Sequence, residues 1–110
     1  MYDYRCEVMR VIDGDTVELN IDLGFSCWYR RSARLKGINA PELSGATRPQ
    51  AEVSKAALET LLAAGPVIAI TELKKEKDKY GRCLVRLFCA GVDVNDAMVA
   101  GGFAVPYMNT

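Results

Sequence analysis

The sequence predicts a mainly β chain with two helices, an α+β fold in which five strands curl into a closed β-barrel. Two observations carry this expectation. From Thr16 to Leu23 the alternation is strict: Val17, Leu19, Ile21 and Leu23 fall on one face, Thr16, Glu18, Asn20 and Asp22 on the other, as in a half-buried strand. The helical periodicity, by contrast, is concentrated between Thr47 and Gly65, so one long helix parts three strands from two.

The first strand runs from Tyr4 to Ile12, strand-like in content through Val8, Val11 and Ile12 but without clean alternation. Asp13-Gly14-Asp15 ends it with turn chemistry. Gly24-Phe25-Ser26 then turns the second strand into a third, Cys27 to Leu35, whose Trp28 and Tyr29 are expected to serve core and strand packing. At the long helix, Thr47 with Gln50 fits a capping box, Pro49 suits a first turn, and Gly65-Pro66 closes the element. Its apolar stripe is Ala51, Leu58, Leu61 and Leu62. Val67 to Leu73 is a fourth strand, Lys74 to Lys79 a charged loop, and Arg82 to Phe88 a fifth strand. Ala90-Gly91 leads to a short helix over about Asn95 to Ala100, closed by Gly101 and Gly102. Strand, strand, strand, helix, strand, strand, helix is the order of an OB-type barrel.

A chain of 110 residues is expected to form one domain, 1–110, burying roughly 60 to 68% of its unfolded surface. No stretch approaches the ~18 apolar residues of a membrane span, and Met1-Tyr2-Asp3-Tyr4-Arg5 lacks an apolar signal region. A cytoplasmic monomer without a membrane partner is therefore expected. Net charge is zero, but its distribution is uneven. Residues 1–26 hold six acidic against two basic side chains, and residues 27–55 hold six basic against two acidic. An acidic start beside a basic middle suits a cation site next to a phosphate-binding surface. The cysteines Cys6, Cys27, Cys83 and Cys89 form no CxxC pair and the chain has no histidine, which argues against structural zinc. Buried free thiols are the expectation.

Candidate chemistry concentrates in three stretches. Arg34 to Glu42 joins a cation at a strand end to the oxygen donors Asn39 and Glu42 on a loop loosened by Gly37 and stiffened by Pro41. Asp13-Gly14-Asp15-Thr16 offers two more carboxylates, and Asp78-Lys79-Tyr80-Gly81-Arg82 a second arginine, with Arg86 as its rival on the same face. Two guanidinium groups, up to three carboxylates and an amide oxygen are the parts of a metal-assisted attack on a phosphodiester.

In that order, and followed by Asp93-Val94-Asn95 with Val99 and Gly102, these motifs resemble the staphylococcal nuclease (thermonuclease) family over about Tyr4 to Tyr107. The resemblance implies an OB-fold, calcium-dependent endonuclease acting on single-stranded or frayed DNA and RNA, cutting the P–O5′ bond to leave 3′-phosphate ends. It implies Asp15 as a direct metal ligand supported by Asp13, with the main-chain carbonyl of Ala40 as a further ligand. Arg34 and Arg82 would grip the phosphate, and Glu42 would orient or deprotonate the attacking water. Lys79, Tyr80 and Tyr107 would contact the nucleotide. Asn39 departs from the family pattern, which has a second aspartate ligand there. Its amide oxygen can coordinate Ca²⁺, but the lost charge is expected to weaken binding. The alternative is a catalytically silent OB-fold module that binds single-stranded nucleic acid or a protein partner, although retention of Arg34, Glu42 and Arg82 favours the enzyme.

Overall fold

A computed structural model describes residues 2–71 and 82–107, with only the backbone of Tyr2. The strands are β1 (Tyr2–Asp13), β2 (Thr16–Asp22), β3 (Trp28–Leu35), β4 (Ile38–Asn39), β5 (Val67–Thr71), β6 (Cys83–Cys89), β7 (Val92–Asp93) and β8 (Val105–Pro106). Helix α1 spans Arg48–Leu62 and α2 spans Val94–Ala100, and a 3₁₀ turn, Gly45–Thr47, leads into α1. The main sheet runs β3-β2-β1-β5-β6-β7, and β3 also meets β6, which closes a five-stranded barrel. The barrel and its two helices are those expected from the order of elements.

Closure is the feature that positions the site. All neighbouring strands of the main sheet are antiparallel, whereas the seam is parallel, from Ala33↔Cys83 to Leu35↔Val85. It sets the end of β3 beside the start of β6, while β2 pairs Thr16 with Arg34. Three segments distant in sequence therefore meet at one rim of the barrel. Val17, Leu19, Leu35, Leu58, Leu87 and Met98 are fully buried inside, and each such side chain contributes about 1.5–3 kcal/mol by leaving water.

One expectation, the lack of clean alternation in β1, has a structural cause, and several others are corrected. β1 fails to alternate because its register to β2 shifts between Val8 and Arg10 and again between Val11 and Asp13, and extra residues at bulges break the two-residue period. Thr47 makes no capping bond to the helix. The 3₁₀ turn leaves it in helical dihedrals, and its hydroxyl donates instead to the carbonyls of Glu42 and Ser44, at 2.7 and 2.9 Å. The α1 stripe gains Ser54, buried because its hydroxyl donates to the Phe103 carbonyl at 2.6 Å, while Leu61 is only partly buried. Cys89 is buried, but Cys27 is exposed, and Cys6 and Cys83 lie between. Trp28, Tyr29 and Leu23 are not core residues, because the β2–β3 hairpin outruns the barrel that would cover them.

Candidate active site

The turn after β1 organises the site. A β-carbon on Gly14 would stand 2.7 Å from that of Ser54 and 2.8 Å from that of Ala40, so the absence of a side chain lets α1 and the loop after β4 approach the turn. Sequence reasoning assigned Gly14 to turn chemistry, but close packing is what requires it. Beside it, the amide of Asp15 donates to the Asp13 carboxylate at 3.1 Å, which curls the turn and directs Asp15 inward.

Asp15 is 7% exposed and both its oxygens are engaged. Oδ1 accepts from the Thr16 hydroxyl at 2.9 Å, and Oδ2 accepts from the amide of Ala40 at 2.8 Å. Arg34 is equally buried, and its Nη2 lies 3.5 Å from Asp15 Oδ2 while donating to Oδ1 of Asn39 at 3.0 Å. The Tyr107 ring covers the guanidinium, 5.3 Å from its carbon to the ring centroid, a cation–π arrangement. Arg34 thus pairs with Asp15.

Arg82, at the entry to β6, reaches the Thr16 hydroxyl from the other side, with Nη1 at 3.5 Å. Its rival Arg86 faces elsewhere: Nη1 contacts Asp93 at 2.8 Å and Asp96 at 3.1 Å, which ties β6 to the start of α2. Glu42 follows Ala40 by two residues with an exposed side chain that makes no ion pair or hydrogen bond among the described residues. Lys79 and Tyr80 lie outside the described residues.

The short β4 and β8 hold the loop that carries Asn39. Asn39 pairs with Val105 and Ile38 with Pro106, and the Tyr107 amide donates to the Gly37 carbonyl at 2.8 Å. Sequence reading did not anticipate these two-residue strands. Nor did it give a role to Asn95, which is fully buried. Its Nδ2 donates to the carbonyls of Lys36 and Val85 at 2.9 and 3.1 Å, and its Oδ1 accepts from the amide of Leu87 at 3.1 Å. A side-chain amide that satisfies both edges of the seam locks the start of the site loop onto β6 and α2. The visible signal was an asparagine one residue into a short helix, where its helix propensity is poor.

Burial, reinforced by the adjacent Asp15 carboxylate, pushes the Asp13 carboxyl up to about 6. Carboxylate, amide and main-chain oxygens are the hard ligands that a calcium ion takes, but both oxygens of Asp15 and Oδ1 of Asn39 already have partners within the chain. Among the described residues no group of three or more His, Cys, Asp or Glu side chains is gathered for a metal, so the set is sparse in charge.

A profile of the family described as staphylococcal nuclease homologue matches residues 32–110. The chain belongs to that family. The match takes in Arg34, Asn39, Glu42, Arg82 and Asn95, while Asp13 and Asp15 precede it. This staphylococcal nuclease homologue is also 28% identical over 102 residues to an uncharacterized protein of Bacillus anthracis, covering 90% of the present chain and 45% of the relative. It thus spans about half the length of the curated relative it matches.

Proposed function

We propose that residues 1–110 form a calcium-dependent endonuclease domain that hydrolyses phosphodiester bonds of single-stranded or frayed DNA or RNA at P–O5′, leaving 3′-phosphate and 5′-hydroxyl ends. The observation that supports it most is the buried Asp15–Arg34 pair roofed by Tyr107, with Arg82 meeting Thr16 alongside. Both arginines are brought to one carboxylate-lined rim.

Arg34 and Arg82 bind the scissile phosphate, where charge builds on the equatorial oxygens during attack. A guanidinium stays protonated throughout and offers paired donors to such oxygens. Asp15 and Asn39 fix the orientation of Arg34, so little rearrangement is needed as the charge develops. Glu42 receives the proton of the attacking water, the P–O5′ bond breaks, and the 5′ oxygen is protonated from solvent. Asp15, with Asp13, Asn39 and the Ala40 carbonyl, would hold calcium, which when bound would supply positive charge to the phosphoryl group. Tyr107, with Lys79 and Tyr80, contacts the nucleotide.

One observation favours the second reading, a silent module that binds nucleic acid or a protein. Oδ1 of Asn39, the oxygen offered to calcium, already accepts from Arg34, and an amide holds a cation less strongly than a carboxylate.

The two readings separate on a labelled single-stranded oligonucleotide incubated with and without calcium, followed by end-group analysis. Calcium-dependent 3′-phosphate products, nearly absent with Glu42→Gln, support the nuclease. Binding without cleavage at any calcium concentration supports the module.

A further inference from the structure

Four side chains of α1 are buried, Ala51, Ser54, Leu58 and Leu62, and only Ser54 is polar. A serine or threonine inside a helix ordinarily turns its hydroxyl to water or back to the carbonyl four residues earlier. Thr60 of the same helix does so, donating to the Ala56 carbonyl at 3.0 Å. Ser54, 3% exposed, instead donates to the main-chain carbonyl of Phe103 at 2.6 Å, 49 positions away in sequence. A bond so placed ties α1 to the segment that leads from α2 into β8.

That segment is anchored at its start and carries part of the site at its end. The amides of Phe103 and Ala104 both donate to the Met98 carbonyl, at 2.9 and 3.2 Å, and the Phe103 ring folds against Gly101, where a β-carbon would stand 2.6 Å from it. Val105 and Pro106 are then exposed, and they pair with Asn39 and Ile38. Tyr107 follows, its amide on Gly37 and its ring over Arg34. The carbonyl that Ser54 grips therefore belongs to the anchored stretch from which a short strand reaches out to cover the guanidinium. On its other side Ser54 underlies the acidic turn, because a β-carbon on Gly14 would stand 2.7 Å from that of Ser54. One helical residue thus touches both the turn that directs Asp15 and the strap that roofs Arg34.

We propose that Ser54 is a positioning residue for the phosphate-binding guanidinium: it sets where Tyr107 lies over Arg34, and through that ring the direction in which Arg34 presents its donors. Its consequence for rate rests on the nuclease reading given above; its consequence for geometry does not. Arg34 has Asp15 and Asn39 as polar partners and the ring as its cover. A ring that shifts lets the guanidinium tilt, and charge fixed in advance is what makes such a group effective as the phosphoryl oxygens gain charge. A residue present only to fill the space beneath Gly14 would be alanine, like Ala51 one turn earlier. The hydroxyl adds a link rather than apolar volume.

Ser54→Ala deletes the hydroxyl and keeps the β-carbon against Gly14. Hydrogen exchange followed by NMR is expected to show the Tyr107 amide exchanging about tenfold faster, the order of effect of one lost hydrogen bond. The Lys36 amide, bonded to Val85 across the barrel seam at 2.8 Å, is expected to keep its rate. The Arg34 side-chain resonances, which lie under the ring current of Tyr107, are expected to move toward their positions in Tyr107→Leu. In single-turnover cleavage of a labelled single strand at saturating substrate, Ser54→Ala is expected to be about tenfold slower than wild type. In the Tyr107→Leu background the same change is expected to cost nothing further, because the serine acts through the ring. An unchanged Tyr107 amide, equal acceleration of the Lys36 and Tyr107 amides, an unmoved Arg34 signal, or rate losses that add in the double variant overturn the proposal. Exchange and resonance position need no cleavage, so an inactive wild type would refute the nuclease reading and leave these two readouts to decide the role of Ser54.

Discussion

Arg34 donates from Nη2 to the amide oxygen of Asn39 at 3.0 Å, so the residue that departs from the family's metal-ligand pattern is held by the cation that would bind phosphate. Asn39→Asp keeps the size and the acceptor while restoring a charge. Half-maximal cleavage is expected at a calcium concentration lower by about an order of magnitude, since ligand charge count controls affinity in oxygen sites. A calcium titration of the cleavage rate checks this, and an unchanged midpoint would remove Asn39 from the ligand set.

Asp13 gives a pH signature. Its folded pKa of about 6 lies above the ordinary 3.8 because of burial and the Asp15 charge. The folded state therefore holds this proton more tightly than the unfolded chain does. Stability is undiminished below about pH 4, falls as pH rises from 4 through 6, and is then constant. Asp13→Asn keeps the acceptor for the Asp15 amide and cannot ionise. In chelator-treated protein it is expected to be more stable than wild type at pH 7 by about 1 kcal/mol, a figure reduced for solvent screening at a partly exposed group. The advantage should vanish at pH 4. Thermal melts at both values measure it.

Asn95→Ala would strip partners from the Lys36 and Val85 carbonyls and the Leu87 amide at the barrel seam. The Val85 carbonyl keeps the bond from the Lys36 amide at 2.8 Å, so with a cost of about 1–3 kcal/mol per buried group that loses its bond a loss of about 2 kcal/mol or more and a melting point lower by ~8 °C or more are expected. Denaturant titration gives the free energy. Because Lys36 opens the loop that carries Asn39 and Ala40, calcium affinity should fall in the protein that remains folded.

What sequence could and could not reveal follows from the range of each signal. Strand β2 was legible because alternation is local, and Val17, Leu19 and Ile21 are buried as expected. The motifs around Asp15, Arg34 and Arg82 were legible as chemistry, and barrel closure is what joins them. The bulges of β1, the parallel seam and the β4–β8 pair were hidden because each depends on partners remote in sequence. The hairpin tip misled for a related reason: Trp28 and Leu23 have core-like side chains, but the strands that would cover them end sooner. Thr47 illustrates competition among nearby acceptors, its hydroxyl taking two loop carbonyls instead of the helix start.

The central claim, that Arg82 and Arg34 serve one reaction centre across the barrel seam, is tested most directly by single-turnover cleavage of a labelled single strand by Arg82→Ala. Arg82 is only partly buried and precedes β6, and a thermal melt of the variant separates a loss of rate from a loss of fold. With saturating calcium it is expected to cut about 10²- to 10³-fold more slowly, the usual cost of removing one stabiliser of transition-state charge. Cleavage at the wild-type rate would contradict the account.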